Sequence, residues 1–493
     1  MPLDRYDCDM SSVHRVAPER PDASVQDEGF LRAVAAGEVR LSREQGLAML
    51  AGVPTHVLGR WADARCRQIH GDAVRTYIID RNINYTNVCN AKCTFCAFRR
   101  DAGDHDAYTL EYEQILEKVG ELVAIGGTQI LMQGGMNPDL PLDWYLGLLR
   151  VIKERHPKVH VHAFSPPEFV EFVHFFDPPG ATFEEKVRWV MVRLREAGMD
   201  SLPGGGGEIF ADPVRRKIGL GKCDATSWLT VMYVAHSLGM FTSATMMFGH
   251  IEGHADRIHH MDLVRQWQDR ALREAGEHGT ARPGVPGSGF GHYKAFISWP
   301  FQRENTPLGR VRDWGASADE LTQRFPGDVV ADAFAWGANP EVDYRDLGPD
   351  AAEFGRRVRM SGAVDYLRTQ AVSRLYLDNV YSIGSSWVTM GPHIGQLGLR
   401  YGANDMGSVM MEENVVSSAG TTYCLDEAVL CRLIRESGFT PAQRDNTYDV
   451  LRVHAGDQAP DLRVTDWSTH RAKKTHQQAP RQGKTRLTVS AKT

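Results

Sequence analysis

Residues 75–98 read R-T-Y-I-I-D-R-N-I-N-Y-T-N-V-C-N-A-K-C-T-F-C-A-F. An extended run rich in β-branched and aromatic residues breaks into Cys89, Cys93 and Cys96, three cysteines in eight residues. The other five of the chain's eight cysteines, Cys8, Cys66, Cys223, Cys424 and Cys431, are scattered. Nothing in their spacing resembles a disulfide framework. Structural zinc asks for four ligands, and no fourth Cys or His stands close by. A site built on three thiolates with one metal position left open fits better than a structural metal or clustered free thiols.

Outward from this stretch the pattern alternates. RTYIIDRNINYTNVC is a strand that ends at the first cysteine. YEQILEKVGELVAIG has helical spacing, and TQILMQGG is a short strand ending in glycines. LDWYLGLLRVIKERH is helical, KVHVHAFS extended, and TFEEKVRWVMVRLREAG helical, with Thr182 as its cap. SWLTVMYVAHSLG, FTSATMMFG, YKAFISWPF, VDYLRTQAVSRLYLD and DEAVLCRLIRESG continue the series. The polar and glycine-rich motifs fall just after the strands, as in an α/β TIM barrel, (β/α)8, whose chemistry sits at the strands' carboxyl ends. A doubly wound sheet has the same periodicity.

A core barrel over residues 81–410 is expected. It is preceded by a helical extension, 26–80, and followed by C-terminal α/β elements, 411–452. Residues 1–25 and the basic tail 453–493 read as disordered. Two stretches, 273–291 and 308–358, read as insertions, the first too rich in Gly and Pro for a helix. A net charge of -6 over 493 residues describes an ordinary surface with no nucleic-acid-binding tract. There is no apolar run long enough for a membrane span and no signal-type start. Unpaired cysteines then point to a reducing cytoplasm.

Three thiolates can hold three irons of a 4Fe–4S cube and leave the fourth iron to an outside ligand. With CNAKCTFC in the loop after the first strand, the chain resembles the radical S-adenosylmethionine (SAM) superfamily. The resemblance implies that Cys89, Cys93 and Cys96 carry the cluster. It also implies that Phe95 packs near it, and that Gln133, Gly134 and Gly135 receive the methionine ammonium. Glycine suits that task, because a side chain would block backbone approach. Met136 and Asn137 stand where the superfamily often has an acidic residue, so some ammonium partners lie elsewhere. Ser165 and Glu168 of HAFSPPE, and Glu208 after the glycine run of LPGGGGEIF, are candidate nucleoside contacts; a capped helix start is the plainer reading of the first pair.

Further candidates, for substrate or catalysis, are His250 of TMMFGH, Gln302 and Asn305 of SWPFQRENT, Arg374, Trp387, and Asn404, Asp405, Glu412 and Glu413 of GANDMGSVMMEEN. Each has a structural reading beside it: a satisfied loop histidine, a helix-surface ion pair, a core tryptophan. Within the superfamily the motifs over about residues 45–447 are most similar to the cyclic dehypoxanthinyl futalosine synthases of menaquinone biosynthesis. That resemblance implies a nucleoside–benzoate substrate, cyclised after hydrogen abstraction at ribose C4', and a one-electron donor such as flavodoxin or ferredoxin. The tyrosine-using half of FO synthase, which shares HAFSP and the GH segment, and aminofutalosine synthase are the neighbouring alternatives. A non-catalytic iron–sulfur protein is the alternative of another class.

Overall fold

The computed structural model of the chain describes residues 17–276, 289–310, 360–421 and 423–470. Most of both expected insertions and the two chain ends lie outside the described residues. Residues 453–470, assigned above to the disordered tail, are described: Arg435 donates to Asp461 at 2.6 Å, and a 3-10 turn runs over Trp467–Thr469.

Three helices, α1 (Glu28–Ala36), α2 (Arg43–Gly52) and α3 (Thr55–His70), precede β1 (Val74–Ile83). Arg40 ties this segment to the rest through Asp269 at 2.6 Å and Asp378 at 2.9 Å. Thereafter come α4 (Tyr112–Ala124), β2 (Gln129–Met132), α5 (Leu142–Arg155), β3 (His160–Ala163), α6 (Pro166–Phe176) and α7 (Phe183–Ala197). The cap expected at Thr182 is present: its hydroxyl accepts the Glu185 N–H at 3.2 Å, and Glu185 accepts the Thr182 N–H in return. After α8 (Asp212–Ile218) and α9 (Ala225–Ser237) come β4 (Thr242–Phe248), α10 (His254–Ala275), β5 (Tyr293–Pro300), β6 (Ser382–Gly384) and β7 (Asp405–Met410).

These strands are all parallel and follow the order β3-β2-β1-β7-β6-β5-β4. The sheet curls into an incomplete (β/α)8 barrel, and residues 200–208 run irregularly through the gap between β3 and β4. Ala163 N–H donates to the Ser201 carbonyl at 3.0 Å, and Met247 N–H donates to the Glu208 carbonyl at 3.1 Å. Four consecutive glycines, Gly204–Gly207, let this stretch pass where a regular strand would stand; a Cβ on Gly204 would meet the β4 backbone at Ala244.

Helices wrap the outer face, so strand residues with partial exposure look into the lumen. They include Leu131, Thr245, Ile297, Trp299, Ser408 and Met410. On β1 the alternation sends Tyr77 and Arg81 outward and Asp80 and Asn82 inward. The amino end of the barrel is closed by the turn between β8 (Thr440–Arg444) and β9 (Val450–Val453). There Arg444 forks onto Asp405 at 2.6 and 3.0 Å, and Asn446 lies between Lys294 and Gln129, hydrogen-bonded to both.

Candidate active site

At the carboxyl end of β1 the chain folds into the cysteine loop. Its backbone is held from several sides. Cys89 N–H donates to the Arg100 carbonyl at 3.1 Å, Asn90 N–H to Met136 at 3.0 Å, Lys92 N–H to Leu220 at 2.8 Å and Thr94 N–H to Ile218 at 2.9 Å. All three thiols are free and partly exposed. Burial pushes the Cys93 thiol up to about 12, with Lys222 opposing and the nearby Cys96 and Cys89 adding to the rise. Ionised together, three thiolates in one loop would repel one another, and a polynuclear iron centre would neutralise that charge. No three His, Cys, Asp or Glu side chains converge on a single ion position among the described residues. Three thiols in one loop can each bind a different iron of a cube. The donor set therefore fits a 4Fe–4S cluster.

Around this loop the structure gathers most of the expected cofactor residues. Gly134 and Gly135 pack directly against it: a Cβ on Gly134 would enter the Tyr85 ring, and one on Gly135 would meet the Val88 carbonyl and lie 3.0 Å from Cys89 Cβ. Gln133 and Ser165 both border Gly205. Phe95 lies with its ring centroid 4.9 Å from Lys222 Nζ.

Glu208 adopts φ 44°, uncommon for a residue with a Cβ, and bonds Lys222 at 2.6 Å through Oε1. Its buried Oε2 has no partner. Burial works to lower the Lys222 pKa, but Glu208 and then Cys93 outweigh it and hold the amine above its ordinary value. A carboxylate oxygen left open beside a buried cation suits a ligand bearing hydroxyl or ammonium donors.

Glu168 is placed differently from its expectation as a nucleoside contact. One oxygen accepts from Tyr85 Oη at 2.6 Å and Gly134 N–H at 3.2 Å, the other from the Ser165 N–H and hydroxyl at 2.7 and 2.6 Å. It caps α6 and fixes the glycine pair from beneath.

Several substrate candidates are likewise taken up inside the chain. His250 Nδ1 accepts the Ile251 N–H at 2.8 Å, Nε2 lies 3.1 Å from the Met247 carbonyl, and burial lowers its pKa. Arg374, pushed down to about 10 by burial, donates to the Gly402 and Tyr381 carbonyls and to Asn404 Oδ1 at 2.7 Å. Asp405 begins β7 and Asn404 stands just before it, so they lie at the barrel's amino end, away from the cysteines. Glu412 accepts from Lys118 at 2.9 Å and Arg81 at 2.8 Å, and Glu413 takes the N–H groups of Val415, Val416 and Ser417. Trp387 is buried, with its Cβ against Gly395.

Gln302 and Asn305 stand on the rim after β5. Gln302 donates to the Pro300 carbonyl at 3.0 Å and exposed Asn305 to Ser418 at 2.8 Å. Leu308 N–H, a few residues on, donates to Thr94 of the cysteine loop at 2.8 Å. Lys222 and Tyr85 are residues of the site that spacing did not single out; the GLGK run before Cys223 was the available signal.

Comparison with known proteins agrees with this geometry. The model of the radical SAM superfamily matches residues 83–264, and that of the CofH/MqnC C-terminal region matches residues 349–456. The chain is 36% identical to cyclic dehypoxanthine futalosine synthase of Halalkalibacterium halodurans over 88% of its own length and 97% of that protein. The chain belongs to the radical SAM superfamily. A second cyclic dehypoxanthine futalosine synthase, from Streptomyces coelicolor, is 35% identical to this radical SAM enzyme over 86% of the chain and 88% of the relative. The 5-amino-6-(D-ribitylamino)uracil–L-tyrosine 4-hydroxyphenyl transferase of Methanopyrus kandleri is 33% identical over 88% and 100%. Among solved structures, methylornithine synthase superposes with TM-score 0.54 at 16% identity, covering 84% of this chain and 97% of that one, a likeness of fold. No helix among the described residues is long and apolar enough to cross a membrane.

Proposed function

We propose that this enzyme is a cyclic dehypoxanthinyl futalosine synthase of the futalosine route to menaquinone, acting in the cytoplasm with a flavodoxin or ferredoxin as electron donor. The observation that carries the reading is the identity to two such synthases along nearly their whole length, with all three cysteines at the mouth of a lined lumen. Cys89, Cys93 and Cys96 would hold the 4Fe–4S cluster. Gln133, Gly134 and Gly135 would take the methionine end of S-adenosylmethionine, and Glu208 with Lys222 its nucleoside or carboxylate groups. Bound there, cluster and S-adenosylmethionine together supply a 5'-deoxyadenosyl radical.

The chain's own share is position and exclusion. The Tyr85–Glu168–Ser165 brace holds the glycine pair rigid against the cysteine loop. The wall formed by Leu131, Ile297, Trp299 and Met410 would keep water and stray hydrogen donors from a carbon radical and hold the ribose hydrogen near the attacking carbon. A second reading, transfer of a tyrosine-derived fragment to a ribitylaminouracil, has the Methanopyrus relative in its favour.

Cluster-reconstituted protein, incubated anaerobically with reductant, S-adenosylmethionine and dehypoxanthinyl futalosine, should release 5'-deoxyadenosine and a product two hydrogens lighter than the substrate in matching yield. Deoxyadenosine without that product sinks the cyclase reading, and product with tyrosine and the ribitylaminouracil instead establishes the second. Neither species from cluster-loaded protein contradicts both.

A further inference from the structure

Ring closure onto a benzoate leaves a ring hydrogen that has to depart as a proton, so a cyclase needs an acceptor inside the lumen. The inward face of β1 supplies one. Asp80 is 7% exposed, and its neighbours in hydrogen bonding are neutral: Ser408 Oγ donates to Oδ1, and Gln129 Nε2 donates to Oδ2 at 2.9 Å. Ser408 itself is partly exposed to the lumen. Its hydroxyl also lies 2.9 Å from the Val409 carbonyl. It can therefore donate to an ionised Asp80, or turn to Val409 and accept from a protonated one. This pairing serves both protonation states.

On the other side the amides are oriented in series. Lys294 donates to Asn446 Oδ1, Asn446 Nδ2 to Gln129 Oε1, and Gln129 to Asp80. Two residues nearer the mouth on the same inward face, Asn82 keeps a buried Oδ1 without a partner, a group left for a ligand hydroxyl.

Resting on the cyclase reading, we propose that Asp80, with Ser408 as its hydrogen-bond relay, is the base that takes the ring proton. The 5'-deoxyadenosyl radical takes the C4' hydrogen atom and becomes 5'-deoxyadenosine. The C4' radical bonds to a ring carbon bearing hydrogen, giving a cyclohexadienyl radical. That radical loses H⁺ to the Asp80 carboxylate and one electron to a one-electron acceptor, an oxidised iron–sulfur centre, and the arene is restored.

Burial pushes Asp80 up to about 6, with Ser408 and Gln129 opposing. The charged groups facing it are Arg444 of β8, which lowers it, and Asp405 of β7, which raises it and is paired to Arg444. His160 of β3 and Lys294 of β5 are both held by burial toward their neutral forms. A base near the working pH is effective in this role.

The test compares cyclised product per deoxyadenosine formed. Wild type should give a ratio near one. Asp80→Asn should still form deoxyadenosine, and still change its cluster spectrum on adding S-adenosylmethionine, with the ratio down at least ~100-fold, the low end for loss of a general base. Asp80→Glu should recover part of it. In wild type the ratio should rise with pH through about 6, as the carboxyl ionises. Metal-free protein provides an independent readout: its infrared spectrum should show a carboxyl C=O band that fades through the same pH range and is missing in Asp80→Asn. An unchanged ratio in Asp80→Asn overturns the inference and leaves the cyclase reading standing. No cyclised product from wild type overturns that reading and the inference with it. If Asp80→Asn does not load its cluster, Ser408→Ala decides: an unaltered ratio refutes the relay and its base.

Discussion

Lys222 and Glu208 form a buried pair whose rupture has a calculable cost. Nζ and Oε1 are 2.6 Å apart, and the side chains are 12% and 5% exposed. At an effective dielectric constant of about 20, that separation corresponds to an attraction of about 6 kcal/mol before desolvation is counted. Removing one partner of such a pair typically costs about 3–5 kcal/mol, since the other charge stays buried. Glu208 Oε2 already lacks a partner, and the nearby Arg215 guanidinium is taken up by the Gly206 and Gly207 carbonyls. Lys222→Met should therefore lower the stability of metal-free protein by about 3–5 kcal/mol, read from urea unfolding by intrinsic fluorescence. Lys222→Met with Glu208→Gln should return at least half of that loss, as the stranded charge is gone. S-adenosylmethionine affinity should stay low in the double variant, because the polar pair proposed to take the nucleoside or carboxylate groups is missing. A loss under about 1 kcal/mol for Lys222→Met, or a double variant as unstable as the single, would refute the account of a desolvated pair.

Other perturbations separate binding from support. Gly134→Ala puts a methyl into the Tyr85 ring and should weaken S-adenosylmethionine binding about tenfold, or 1.4 kcal/mol, measured by titrating the reconstituted cluster's spectrum. Arg374→Met leaves the Gly402 carbonyl without its donor, while His70 still reaches the Tyr381 carbonyl and the Ile383 N–H still reaches Asn404 Oδ1, and should cost about 1–3 kcal/mol of stability while turnover per intact cluster is retained; a selective loss of turnover would return Arg374 to the substrate. Folded Asp80 keeps its proton to about pH 6, whereas an unfolded aspartate releases it near 3.8. Across that window the folded state binds more protons, so stability falls as pH rises, by roughly 3 kcal/mol in total. Asp80→Asn lacks this slope, and its urea midpoint should gain on wild type between pH 4 and 7; a constant difference contradicts the raised carboxyl.

The cysteine loop, the glycine pair and the alternation of strand and helix are legible in the chain because each obeys a local rule. Ligand spacing, close backbone approach and burial period are all written within a few residues. The amino end of the barrel is not legible in this way. β7, DMGSVM, carries an aspartate and a serine where its first half meets the polar floor of the lumen, and a glycine at φ 74° where its register with β1 shifts, so it resembles a loop. Asn404 and Asp405 then read as candidates for substrate or catalysis, although they stand at the start of a strand. The same polarity hides Asp80 within a run that looks merely extended. Glu168 carried both signals: S-x-x-E is a capping box, and the structure uses that cap to hold Gly134 beside the cysteine loop. Lys222 is joined to Glu208 by tertiary folding across fourteen residues, beyond any local pattern.

The neighbours of β1 set the order in which the molecule can be completed during synthesis. β1 leaves the ribosome among the first elements, yet it pairs with β7 and β8, and Asn446 fills the opening beneath it. Until the last fifth of the chain has emerged, one edge of β1 and the polar floor of the lumen have nothing to bind. Pairings of such long range form late and slowly. The cysteine loop hangs from the end of that same strand, so a nascent chain would expose three thiols on an unfinished support. If the cysteines hold a cluster as proposed, its loading should wait for β7, β8 and Asn446, and a fragment stopped before Thr440 should be a poor recipient of iron and sulfide even though Cys89, Cys93 and Cys96 are present in it.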